Sequence, residues 1–325
     1  MVGRPNNEEV TKIVSGTSGY LRGLMPVGTD RRTVWSLLLI LALIWGSSFI
    51  LMKRGLFHDG QPVLTPWQMA SARLLIAWLA LSPLLFKHFG LFRAHWLPLL
   101  GTGLLGNGIP AFLYAMAQTR IESSLSGMLN SLTPLFTLVV GVLIFRSRVR
   151  AGQVIGVGLG LLGAAGLIIM DPDTGSVSWS PYAVLPVIGT LLYGCSANIV
   201  KHKLYMLPAA ATAALALTFV GPIGAVGCLL TDLPTTLVEH PQAMRSLGFV
   251  AMLAVLSSAL SLVLWNALLK RTSAVWASSV TYLMPIVAIG WGVLDGETVS
   301  LAQILMIGLV LSGVYLVTAT DKVRG

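Results

Sequence analysis

Apolar stretches of about 20 residues recur along almost the whole chain, and each is long enough as a helix to cross the roughly 30 Å of hydrocarbon in a bilayer. They can be drawn at residues 34 to 52, 66 to 86, 97 to 117, 124 to 145, 152 to 170, 181 to 200, 209 to 230, 247 to 268, 274 to 294 and 300 to 319. Only 10 % of the 325 residues are charged, against about a quarter in a soluble domain. Strands of a transmembrane barrel would be about 10 residues of alternating polarity, and no such alternation is present. Lipid offers the backbone no partner other than itself, so the spans are expected to be helices. The expected fold is therefore an all-α integral membrane protein of ten transmembrane helices. Turn-forming clusters bound the spans: Asp59-Gly60-Gln61-Pro62, Asp171-Pro172-Asp173-Thr174-Gly175, Leu233-Pro234 and Asp295-Gly296-Glu297.

The chain also repeats itself. Trp45-Gly46-Ser47-Ser48-Phe49-Ile50-Leu51-Met52-Lys53 returns about 148 residues later as Tyr193-Gly194-Cys195-Ser196-Ala197-Asn198-Ile199-Val200-Lys201. At a nearly constant offset Tyr114 matches Trp265, Arg120 matches Arg271, Pro134 matches Pro285, Gly141 matches Gly292 and Gln153 matches Gln303. Two diverged copies of one unit are implied, over residues 33–173 and 174–320, with a polar tail at 1–32 and a short end at 321–325. A unit of five spans finishes on the side of the membrane opposite to its start. Its second copy is then inverted, the architecture of many alternating-access carriers.

The net charge of +9 is distributed as topology requires. With the amino terminus inside, the tails and even-numbered loops hold about 16 Lys and Arg, including Lys87, Arg93, Arg146, Arg148, Arg150, Lys201, Lys203, Lys270 and Arg271. The other side holds about four: Lys53, Arg54, Arg120 and Arg245. Such a bias places both termini in the cytoplasm and makes nucleic acid an unneeded partner. Cys195 and Cys228 fall in spans, where they read as small apolar fillers rather than a disulfide or metal framework. The first 32 residues are polar and lack the short apolar core of a signal peptide. Neither a cofactor nor a metal is implied.

Polar residues inside the spans are the candidates for chemistry. Asn130, Ser131 and Thr133 precede Pro134 in the fourth span, and Ser279, Thr281 and Tyr282 precede Pro285 in the ninth. A proline there removes a backbone hydrogen bond and frees carbonyls to face a cavity, so Pro134 and Pro285 are candidate hinges. The neighbouring side chains either line a pathway or satisfy the opened backbone. Arg73 is the one basic side chain well inside a span, a costly placement that calls for a cavity, a partner or snorkelling to the interface, with a gating role as one reading. Tyr114, Trp265 and Tyr282 lie deep enough to stack on a ligand, while Trp35, Trp67, Trp96 and Trp179 sit at span ends as interfacial anchors do. Gly152, Gly156, Gly160 and Ala164 form a stripe of small residues, which suits packing between the two copies or a homodimer contact.

The order and duplication of Trp45-Gly46-Ser47-Ser48-Phe49 with Lys53, Arg73, Tyr114 with Ala117, Pro134, Pro285, Gly296-Glu297, Gln303 and Gly308 resemble the drug/metabolite transporter superfamily, and within it the EamA-type carriers. The resemblance implies a central cavity built largely from the third, fourth, eighth and ninth helices and their neighbours, and export of small metabolites such as amino acids across the inner membrane. The chain departs from the family pattern at Arg146, where the first copy usually carries a Gly-Glu pair like Gly296-Glu297.

An integral-membrane enzyme is the competing class, with a scaffold or channel behind it. His58, His88, His95, His202 and His240 all fall in loops or at span ends, and no HExxH cluster is present, so an enzyme is not expected. The twelve Asp and Glu residues all lie in tails, loops or span ends, whereas proton-driven carriers commonly relay protons through buried acids. Facilitated diffusion or exchange of an uncharged or zwitterionic substrate is expected, held by Asn130, Asn198, Asn266, Thr133 and Tyr282 and by the rings of Tyr114 and Trp265. Glu297 is the carboxylate best placed to reach a cavity through a reentrant turn.

Overall fold

A computed structural model describes residues 31–147, 150–169 and 180–319. Trp179, Arg148, Asp171, Asp173 and both terminal tails lie outside the described residues. The chain divides into two compact units, Met1–Ser36 and Leu37–Gly325; the described part of the first is the opening of a helix, and the packing below concerns the second.

The described residues are helical nearly throughout. The helices are α1 (Arg31–Leu56), α2 (Pro66–His88), α3 (Phe92–Gly103), α4 (Ile109–Ala117), α5 (Ser123–Asn130), α6 (Thr133–Leu143), α7 (Ala151–Ile169), α8 (Val184–Lys203), α9 (Ala209–Leu217), α10 (Gly221–Leu230), α11 (Leu233–Glu239), α12 (Ala243–Met252), α13 (Ser261–Arg271), α14 (Ala274–Ser278), α15 (Met284–Leu294) and α16 (Leu301–Ala319). A two-residue hairpin, β1 (Phe57–His58) with β2 (Gln61–Pro62), turns through Asp59 and Gly60, both at positive φ. Among the described residues, eight helical segments are long and apolar enough to cross a membrane, and Leu301–Val317 is a shorter apolar helix. The chain is a multi-pass membrane protein.

Local chemistry sets the ends of these elements. Thr65 caps α2 by accepting from the Gln68 amide at 3.2 Å while Gln68 Oε1 accepts from the Thr65 amide at 2.9 Å, a reciprocal capping box. Pro134 and Pro285 stand at the first turns of α6 and α15, where a missing N–H has no intrahelical partner to lose. The fourth and ninth apolar stretches are therefore broken rather than kinked: α5 stops at Asn130 before α6 begins, and a 3₁₀ turn, Ser279–Tyr282, separates α14 from α15. Two π-helical turns, Leu104–Gly108 between α3 and α4 and Leu253–Leu260 between α12 and α13, interrupt two more stretches.

Among the described residues, buried apolar side chains gather in two large clusters. One centres on α1, α2, α4, α9 and the π turn after α12, with Met69, Leu74, Leu56 and Leu253 almost fully enclosed. The other joins α5, α6, α7 and α16 through Leu129, Leu135, Leu167 and Val310. Gly156 lies so close to the Gly313 carbonyl that a side chain on either would strike backbone, and Gly163 lies against Val310. The small-residue stripe thus seats α7 on α16, as small residues do where helices meet in lipid. Trp67 and Trp96 are exposed near the starts of α2 and α3.

Candidate functional site: a cavity among broken helices

The interruptions converge on one cavity of about 100 Å³. Trp45, Ser48, Phe49 and Met52 of α1 supply one wall and Arg73 of α2 another. Gly106 and Asn107 of the first π turn, with Tyr114 of α4, face Ser257 and Ser258 of the second, with Leu262 and Trp265 of α13. Asn130 and Thr133 flank the break between α5 and α6; Val280, Thr281 and Met284 flank the break before α15. Tyr193 and Ser196 of α8 complete the lining. Helices broken beside a cavity can present backbone and polar side chains there without exposing them to lipid.

The aromatic rings are arranged in pairs. Trp45 and Trp265 lie 5.4 Å apart between centroids, and Tyr114 and Tyr193 stack at 5.9 Å. Trp45 Nε1 donates to the Ser257 carbonyl at 3.1 Å, and Ser257 Oγ donates to the Ile44 carbonyl at 3.3 Å, so α1 is fastened to the second π turn. Tyr114 donates its hydroxyl to Asn130 Oδ1 at 2.6 Å, and Asn130 Nδ2 lies 3.4 Å from Met284 Sδ. Arg73 Nε donates to Ser258 Oγ at 2.8 Å. The arginine is half-buried and turns inward to the cavity rather than reaching for the interface.

Of the residues singled out in the sequence, Arg73, Tyr114, Asn130, Thr133 and Trp265 meet on this wall. Asn198, Asn266 and Tyr282 are not on it. Asn198 spends its amide on the Thr137 and Gly194 carbonyls, each at 2.9 Å, and Tyr282 donates to the Val314 carbonyl. Asn266 is fully buried, and neither its Oδ1 nor its Nδ2 has a hydrogen-bond partner among the described residues. Pro134 and Pro285 adjoin the lining residues Thr133 and Met284. Some hydroxyls close the opened backbone: Ser131 Oγ donates to Met128 O at 2.6 Å, Thr133 Oγ1 to Asn130 O at 2.8 Å and Thr281 Oγ1 to Ser278 O at 2.9 Å. Sequence reasoning missed Asn107, Tyr193, Ser257 and Ser258. The dipeptide Ser257-Ser258 and the run Gly106-Asn107-Gly108 within apolar stretches were the available signal.

One residue beyond Met52, Lys53 Nζ contacts Asp295 Oδ2 at 2.7 Å and Glu297 Oε1 at 2.8 Å, and Arg54 pairs with Asp295. Glu297 also accepts from the Ser123 amide at 3.0 Å, the Ser123 hydroxyl at 2.6 Å and the Ser124 amide at 2.9 Å. It closes the start of α5, where unsatisfied amides and the helix dipole favour an anion. Gly292 makes room for it: a Cβ there would sit 2.5 Å from Glu297 Oε2. Burial pushes the Glu297 carboxyl up, but the bonds from Lys53, Ser123 and Ser124 outweigh it and hold it down to about 2. Glu297 is thus fixed in a loop cluster and is not on the cavity wall. Lys201, the repeat counterpart of Lys53, donates its Nζ to the carbonyls of Leu269 at 3.0 Å and Thr272 at 2.5 Å.

Residues 33–169 and 180–319 each match the EamA-like transporter family. The chain belongs to that family. It is a membrane transporter of the drug/metabolite superfamily. It is 27 % identical over 291 residues to the uncharacterized inner membrane transporter YedA of Escherichia coli, covering 86 % of this chain and 89 % of that one. A probable amino-acid metabolite efflux pump of Salmonella typhimurium is 25 % identical over 89 % of this chain and 95 % of its own. An uncharacterized transporter of Archaeoglobus fulgidus is 22 % identical over 87 % and 98 % respectively. One crystal structure superposes on 90 % of this chain and 98 % of its own with a TM-score of 0.59 at 16 % identity, which shows a shared fold.

Proposed function

We propose that the chain is a secondary transporter that moves a small metabolite, an amino acid or a related compound, outward across the inner membrane by alternating access. The observation that carries the reading is the cavity: both family-matching segments build it, and it lies where their helices are broken. Tyr114, Asn130, Thr133 and Trp265 serve as substrate contacts, the breaks before Pro134 and Pro285 serve as hinges, and Arg73 serves both wall and gate. Tyr282, Asn198 and Asn266 act one layer out, holding the helices that carry the wall. The efflux pump from Salmonella supports both direction and compound class.

The reading includes ten helices in two inverted repeats, over 33–173 and 174–320, with both termini cytoplasmic. The segment Pro66–Ala117 has 52 residues, about 78 Å as one helix at about 1.5 Å per residue, more than twice a bilayer core. It is interrupted by the 3₁₀ turn Phe89–Leu91, and α4 packs against α2, which supports two crossings. With Leu301–Val317 as a further crossing, eight candidates become ten. In an inverted pair, Lys53 and Lys201 close opposite ends of the pathway, and opening one end while closing the other is the transport step.

Inside-out vesicles presented with a panel of metabolites test the reading. Uptake should saturate and be stimulated by substrate on the far side, and Tyr114→Ala with Trp265→Ala should reduce it at least tenfold at equal folded protein. Flux that rises linearly with concentration and ignores substrate on the far side would sink the carrier.

A further inference from the structure

The cavity is rich in hydrogen-bond donors. Arg73 uses one of the five N–H groups of a guanidinium on Ser258 Oγ, at 2.8 Å, and no other hydrogen bond or ion pair holds it among the described residues. Asn107, also on the wall, has its Nδ2 buried with no hydrogen-bond partner among the described residues. The acceptor nearest in kind, Asn130 Oδ1, is already taken by Tyr114 at 2.6 Å. No Asp or Glu among the described residues lines the cavity, and Asp295 and Glu297 are engaged by Lys53 and Arg54.

An arginine at membrane depth with no protein counter-ion is costly unless something else neutralises it. A carboxylate matches the guanidinium fork with two parallel hydrogen bonds and brings the compensating charge. A cation entering the same space would meet Arg73 unscreened, and a zwitterion would leave its ammonium without an anionic partner. The paired rings Trp45–Trp265 and Tyr114–Tyr193 offer surfaces that suit an apolar or aromatic body. We infer that the cavity is built for a small organic monoanion, a single carboxylate on an apolar or aromatic body, received by Arg73 with Asn107 as a second donor. This rests on the cavity being the substrate site, and of the compounds proposed above it selects a related carboxylate that lacks the ammonium group over the amino acid itself.

The full chain, purified in detergent, is titrated with 3-phenylpropionate, with 3-phenylpropionamide and with phenylalanine, following the fluorescence of tryptophan, two of which lie on the wall. The anion should bind at least tenfold more tightly than the amide or the zwitterion. Arg73→Gln should bring the three within about threefold of one another, and Arg73→Lys should keep the order with weaker binding. Because the wild-type chain alone ranks the three probes, a poorly folded variant leaves the test intact. An amide as tight as the anion, a tighter zwitterion, no binding of the anion at millimolar concentration, or an unchanged preference in a folded Arg73→Gln protein would overturn the inference. Binding of the anion without flux of any solute would sink the transport reading instead, and saturable flux of cations alone would sink only this one.

Discussion

Glu297 shows how a residue's place can be legible in sequence while its partners are not. Its loop position leaves open an approach to the cavity, whereas the structure turns it onto the amides of Ser123 and Ser124 and the Lys53 ammonium. Its carboxyl is held down to about 2, below its ordinary value of 4.5. A depressed folded value means that the stabilisation is fully present above about 4.5 and is lost as pH falls through that value toward 2. Thermal unfolding in detergent should therefore show wild type more stable than Glu297→Gln at pH 7, with the gap narrowing below pH 4.5. A gap that persists unchanged at pH 3 would show that charge is not what the cluster uses. Glu297→Ala should also be less stable than wild type at neutral pH, by about 1 to 3 kcal/mol, since it leaves two helix-start amides without their acceptor and Lys53 with Asp295 alone.

At the scale of elements, the breaks before Pro134 and Pro285 place the polar wall. Pro134→Ala restores an N–H to the first turn of α6 and removes a ring that cannot sit inside a continuous helix. The variant should let α5 and α6 merge more readily, slowing transport at least severalfold while folded yield stays near wild type. Equal rates in Pro134→Ala and Pro285→Ala would reduce both breaks to scaffolding. The two prolines, the apolar stretches, Arg73, Tyr114 and Trp265 were legible because each departs from what lipid tolerates or from what a helix needs. The π turns were not. One extra residue in a helical turn leaves no periodic signature in so uniformly apolar a stretch, so Asn107 and Ser258 gave only a local hint. Asn198 was misjudged for a different reason: whether a buried amide faces a cavity or a carbonyl depends on where a neighbouring helix passes, here the Thr137 carbonyl of α6.

For the whole molecule, orientation and energy source are linked. On the proposed topology the excess of Lys and Arg in the tails and even-numbered loops is expected to orient both termini inward, so reporter fusions after Arg324 and at Asp173 should report cytoplasm and exterior respectively, and an exported carboxyl terminus would remove the inversion. With that orientation, a cavity lined by Arg73 and by no acid among the described residues offers no carboxylate to relay a proton, and the anion inferred above would itself carry the charge. One charge crossing 100 mV is worth about 2.3 kcal/mol, and at 1.36 kcal/mol per tenfold this is an equilibrium ratio of about 50. A membrane potential negative inside then drives the anion outward with no other coupling. In proteoliposomes with a potassium diffusion potential set by valinomycin, 3-phenylpropionate should leave faster when the cytoplasmic face is negative, above the leak of protein-free vesicles at the same pH. A pH gradient at zero potential should add nothing beyond that leak. Protein-dependent accumulation driven by the pH gradient alone, lost in Glu297→Gln, would replace this mechanism with proton coupling through the loop cluster.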